Sequence, residues 1–109
     1  MIDEADIEKA CDYLVANARK AAKAKAERIY LEEFRKTVKS QVMREHSNLA
    51  IGAQEREAYA DPRYAKHLEA VKDAVEADEY QRWMMAAAEA KISAWQTQTR
   101  IHRAQEQIR

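Results

Sequence analysis

The sequence predicts an all-α fold: two long helices paired as an antiparallel hairpin through a short helical connector, with hairpins assembling into a helical-bundle oligomer. Three observations predict it. The chain holds one glycine and one proline in 109 residues, 35% of it is charged, and 22 residues are alanine, the strongest helix former. Alanine buries little area, so the core must come from 23 Ile, Leu, Val, Met, Phe and Trp residues helped by five tyrosines. Long helices with such modest apolar seams are commonly stabilised by a second chain. A homo-oligomer of coiled-coil character is expected on that ground.

The chain is expected as a single helical domain, its first helix over about 3–45, where no Gly or Pro interrupts. At 1.5 Å per residue it would measure about 60 Å. Asp3, Glu4, Asp6 and Glu8 suit the positive end of the helix dipole. Ile7, Cys11, Leu14, Ala18 and Ala21 repeat at 4-3-4-3 spacing and read as a seam; Leu31, Phe34, Val38 and Val42 read as a second stripe on another part of the surface. The break falls between Ala18 and Tyr30, where a bend or a change of neighbours is expected.

A connector is expected over about 46–61, with Ser47 or Asn48 capping a short helix through Gln54, Glu55 and Tyr59. Asp61-Pro62 is the clearest local signal, an N-cap followed by proline at the first helical position. The second helix should then span about 62–103. Tyr64, Leu68, Val71 and Val75 form its first seam, and continuing the heptad lands on Asp78, Arg82, Met85, Ile92 and Thr99. The polar pair in that run reads as a seam shifted sideways onto Tyr80 and Met84, with a register-setting ion pair as the alternative. Residues after Trp95 are polar and are expected to fray or to become helical only against a partner.

Function classes narrow by exclusion. Zero formal net charge argues against a generic polyanion binder, and a single cysteine, Cys11, precludes an intramolecular disulfide or a cysteine cluster. The acidic start has no signal-like segment and no apolar run approaches the ~18 residues that span a bilayer, so a cytoplasmic protein without membrane contact is expected. His46, His67 and His102 lie far apart, and no metal motif, phosphate-cradling glycine loop or nucleophile elbow occurs. The carboxylate pairs Glu32-Glu33 and Asp78-Glu79 have cations at helical neighbour spacing and read as a solvated face. No catalytic, cofactor-binding or metal-binding residue is assigned, and the expectation is a protein that is not an enzyme.

Charge is nevertheless segregated. Residues 19–44 hold nine bases and three acids, whereas residues 53–80 are net −4. Arg19, Lys20, Lys23, Lys25, Arg28, Arg35, Lys36 and Lys39 form a basic band that would contact phosphates or, in a hairpin, be neutralised by the acidic stretch opposite. A salt-bridged or merely solvated surface is the preferred reading.

The most distinctive stretch is WMMAAAEAKISAW, residues 83–95. Its two tryptophans sit about 120° apart on a helix, so they cannot line one narrow seam. Met85, Ala88, Ile92 and Trp95 form one surface, and Tyr80, Trp83, Ala87 and Ala90 another; with Met84 these make the candidate interface, each surface meeting a different neighbour. A base-stacking platform would interleave cations with aromatics, and only Arg82 and Lys91 lie near.

The segments AQEREAYADPRYAKHLEAV, beginning at Ala53, AAAEAKISAWQTQ and YLEEFRKTVKSQVMREH resemble a group of small helical proteins encoded by phages and prophages, over roughly two-thirds of the chain. The resemblance implies a helical protein without assigned activity, typically encoded among early genes for DNA replication and recombination, and it implies no catalytic residues. Three functions are carried forward: a non-catalytic interaction module with a phage protein as partner, a nucleic-acid-binding accessory using the basic band, and an inhibitor of a host protein.

Overall fold

The computed structural model describes residues 1–108, and among them the fold is all-α: α1 (Glu4–Glu45), α2 (Ile51–Ala60) and α3 (Pro62–Ile108), with no strand. The chain divides into two compact units. Unit 1 is Met1–Ala21 with Tyr80–Arg109, and unit 2 is Ala22–Glu79. Within each unit the α1 and α3 segments pack antiparallel. In unit 2, Arg28 meets Asp78 near one end of the pairing and Glu45 meets Arg63 near the other; in unit 1, Asp6, Lys9, Ala10 and Tyr13 share a groove with Met84, Ala87, Ala88 and Lys91. No helix among the described residues is long and apolar enough to cross a membrane.

Each helix start has a physical cause. Asp3 and Asp6 cap α1 reciprocally: the Asp6 amide donates to Asp3 Oδ1 at 2.9 Å and the Asp3 amide to Asp6 Oδ2 at 3.1 Å, a capping box with aspartate in both places. That amide from Asp3 holds the Asp6 carboxyl below its ordinary pKa. The α2 N-cap is Ala50, with no side-chain cap; Ser47 and Asn48 instead lie in the turn after α1, and Gln54 donates its side-chain amide to the Leu49 carbonyl at 2.8 Å. The expected Ser/Asn cap is therefore absent, since Gln54 donates to a carbonyl and accepts no helix amide. At Asp61-Pro62 the aspartate accepts the Arg63 amide at 2.8 Å, and Pro62 opens α3 as the sequence predicts.

The burial pattern corrects the seams. In α1 the residues turned inward include Ile7, Ala10, Leu14, Asn17 and Ala21 in unit 1, then Ala24, Arg28, Leu31, Val38 and Val42 in unit 2, with Tyr13 and Phe34 half-buried beside them and Arg35, at the same phase, exposed. The inward series keeps one 3-4 heptad phase in the sequence, whereas Cys11 and Ala18 are exposed. The expected seam placed apolarity first, and Asn17 and Arg28 occupy inward positions that such a rule rejects. In α3 the inward residues are Tyr64, His67, Val71, Ala74 and Asp78, continuing as Gln81, Met85, Ala88, Ile92 and Trp95. Leu68 and Tyr80 are exposed, so the seam does not shift onto Tyr80, whereas Met84, 37% exposed, borders the groove shared with α1. Asp78 stays inward because Arg28 Nη1 lies 3.1 Å from its Oδ2 while Arg28 Nε lies 3.0 Å from Glu32 Oε1. Those acids raise the Arg28 pKa, the Glu32 hydrogen bond most, then Asp78. A charge so surrounded compensates its partial desolvation through its partners.

Candidate interaction surfaces

The proposed interface residues split between two faces of α3 in unit 1. Met85, Ala88, Ile92 and Trp95 turn toward α1, with Ala88 fully packed and the others half-buried. Tyr80, Trp83, Met84 and Ala87 are exposed; Trp83 keeps 69% of its surface and Tyr80 keeps 60%, so neither ring has a neighbour that covers it.

Those exposed residues begin a second heptad series. Tyr80, Trp83, Ala87, Ala90, Ala94, Thr97, Ile101, Ala104 and Ile108 follow one another at 3-4-3-4 spacing, and all but half-buried Ala94 are exposed. With the inward seam at heptad positions a and d, this series occupies c and f, opposite that seam, with Ala87 also bordering the groove that α3 shares with α1. Soluble helices ordinarily carry charge there. In unit 2 the same positions of α3 do: Lys66, Glu69, Asp73 and Glu76. The change from charged to apolar falls at the boundary between the units. From Arg100 to Ile108 α3 is helical but every residue is exposed, so the helix continues past the expected 103 with no packed face to support it.

Unit 1 has little else to hold it. Its buried residues are Ala10 and Ala88, both alanines, whereas unit 2 buries Val38, Val42, Ala58 and Ala74. The side-chain amide oxygens of Gln81 and Gln98 are buried without a hydrogen-bond partner among the described residues, a desolvation cost of about 1–3 kcal/mol for each such group.

The second surface lies wholly in unit 2, where the basic band meets two tyrosines. Arg35, Lys36 and Lys39 from α1, Tyr59 from α2 and Tyr64 from α3 line an open cleft of about 330 Å³. Tyr59 and Tyr64 meet edge to face at 5.2 Å between centroids, and Lys39 Nζ sits 4.9 Å from the centre of the Tyr59 ring. Lys39 also reaches Glu55 at 3.6 Å, and Tyr59, ahead of Glu55, raises the lysine's pKa. The α2–α3 corner forming the aromatic wall is fastened to α1 by Arg63, which pairs with Glu45 and, at 3.0 Å, with Asp61. Arg63 holds both carboxyls below their ordinary pKa, and they raise its own.

The basic band thus has several fates. Arg28 is consumed in its acidic cluster, Lys39 is tied to Glu55 and Tyr59, and Lys36 pairs with Glu33 at 3.2 Å on the surface. Arg19, Lys20, Lys23, Lys25 and Arg35 are exposed and form no ion pair among the described residues. Arg28, Lys36 and Lys39 are thus salt-bridged and the other five cations of the band are solvated. Sequence reasoning missed Tyr59 and Tyr64 because they lie 20 or more residues from the cations in the chain; the Asp61-Pro62 corner between them was the available signal.

Among the described residues, no group of three or more His, Cys, Asp or Glu side chains is placed to hold a metal ion. His67 is spent structurally: its Nε2 lies 2.6 Å from the Leu31 carbonyl oxygen, to which it must donate, and its ring packs on Phe34 at 5.7 Å. Comparison with protein-family models, curated proteins and solved structures finds no match to this chain.

Proposed function

We propose that the protein is a non-catalytic helical interaction module that pairs with a second copy of itself along the outer stripe of α3. The observation that carries this reading is the apolar series from Tyr80 to Ile108 at the positions opposite the inward seam, in the unit whose described residues bury only two alanines. An antiparallel two-fold pairing centred on Ala94 sets Tyr80 beside Ile108 of the second copy, both large and apolar, and Ala87 beside Ile101, small against large. The same register brings Glu89 next to Arg100, so apolar and charged patterns are self-complementary, as an isologous interface requires. It also gives the exposed end of α3 a neighbour. On the resemblance to phage and prophage proteins, such a module serves phage DNA replication or recombination as an accessory.

Single-tryptophan variants test the pairing. With Trp95→Phe, emission from Trp83 should shift to shorter wavelength as protein concentration rises; with Trp83→Phe, emission from the inward Trp95 should not. A Trp83 spectrum independent of concentration contradicts the pairing.

A further inference from the structure

We propose that the cleft of Arg35, Lys36, Lys39, Tyr59 and Tyr64 is a binding site for single-stranded nucleic acid, taking a base against Tyr59 and the flanking phosphates on Arg35 and Lys36. This goes beyond self-association and uses a different unit. The lining holds three cations and two aromatic rings and no acid, the combination that single-strand binders use: rings supply a stacking surface that any base can meet, and cations follow the backbone. Tyr59 keeps 54% of its surface exposed although it touches both Tyr64 and Lys39. Its ring is therefore fixed in place and still accessible.

The volume of about 330 Å³ stands at the low end of the roughly 300–1,000 Å³ typical of ligand sites. That suits one base with its neighbouring phosphates. Duplex nucleic acid fits poorly, because stacking on Tyr59 requires an unpaired base. An acidic peptide would use the cations and leave the rings idle. Arg35 has no ion pair among the described residues and Lys36 has only its exposed pair with Glu33, which a phosphate would displace at small cost. Lys39 plays a positioning part, holding Tyr59 to α1 while Glu55 balances its charge.

The test is fluorescence anisotropy of the full chain with labelled oligothymidylate, oligoadenylate, the corresponding duplex and a polyglutamate competitor. Both single strands should bind more tightly than the duplex, and raising salt from about 50 to 200 mM should weaken binding about tenfold for two or three phosphates. Tyr59→Phe should bind as the parent does, and Tyr59→Leu, which retains apolar volume at the corner, should lose about fivefold or more. Arg35→Gln with Lys36→Gln should lose affinity and salt dependence together, and Arg19→Gln with Lys20→Gln in unit 1 should change little. No binding at low salt, equal binding of the duplex, displacement by polyglutamate as effective as by unlabelled strand, or equal losses from the two cation pairs would each overturn the proposal. Circular dichroism of every variant separates lost binding from lost fold. None of these substitutions touches the α3 stripe, so self-association stands or fails separately.

Discussion

One helix, α3, presents opposite chemistry to its surroundings in the two units. Where it belongs to unit 2 its outward positions are Lys66, Glu69, Asp73 and Glu76; from Tyr80 onward in unit 1 the same positions carry Trp83, Ala87, Ala90, Ala94 and Ile101. The inner faces differ in the complementary sense. Unit 2 buries two valines and two alanines and is tied by Arg28–Asp78, Lys39–Glu55 and Arg63–Glu45. Among its described residues unit 1 buries two alanines and leaves two amide oxygens without a hydrogen-bond partner. The region with the weaker interior thus has the apolar exterior. That combination is the basis of the proposed pairing with a second chain.

The largest expected effect bears on the outer stripe. Ala87→Glu sets a charge within the proposed pairing, against Ile101 of the second copy, so the concentration dependence of the melting temperature should disappear as association is lost. Glu76→Ala, at the equivalent outward position in unit 2, should leave stability within about 0.5 kcal/mol. Similar responses at both positions would erase the contrast between the faces.

Next is the interior. Among the described residues Val42 is the one large side chain fully buried, and Val42→Ala should cost about 2 kcal/mol in denaturant unfolding. Leu14→Ala, at a half-buried position in unit 1, should cost about half as much. Hydrogen exchange would sharpen this comparison, with unit 1 amides of α3 opening more readily than those of unit 2 at low concentration.

A pH effect isolates the Arg63 clamp. Because Arg63 lowers the pKa of Glu45 and Asp61 in the folded protein, their contribution is fully present above the ordinary carboxylate range near pH 4 and is lost as pH falls through the depressed values. Arg63→Met should therefore be less stable than the parent at neutral pH, and the two should converge under acid. A stability difference that persists at pH about 2 would show that Arg63 acts by packing instead. The smallest effect is stabilising. A methyl on Gly52 would meet nothing within 4 Å, so Gly52→Ala should add about 0.5 kcal/mol by favouring the helix and restricting the unfolded chain.

The all-α class and the α3 start were legible in the sequence because both rest on local chemistry: the scarcity of breakers, and proline after a capping aspartate. The seams were harder to read. Two heptad phases share Ile7, Leu14 and Ala21, and the wrong one is the more apolar over its first turns, with Cys11 and Ala18 in place of Ala10 and Asn17. Extending both phases down the helix separates them, since one continues to Leu31 and Val38 and the other to Glu32 and Lys39. Asp78 misled for a related reason: its partner, Arg28, is 50 residues away. Within WMMAAAEAKISAW helical geometry alone separates the half-buried Met85, Ile92 and Trp95 from the exposed Trp83. The continuation of the outer face to Ile101 and Ile108 was obscured by the polar residues between them. The cleft was illegible, as its cations and rings are brought together only by packing.

The central claim, that α3 of unit 1 carries a self-pairing surface, is tested most directly by light-scattering mass across protein concentration, for the parent chain and for Trp83→Ala. Trp83 is exposed, so its removal should leave the helices folded. The parent should rise from the 12.6 kDa chain mass toward twice that value as concentration increases, and the variant should remain at the chain mass over the same range. A parent that stays at its chain mass at every concentration, while melting cooperatively, would contradict the account.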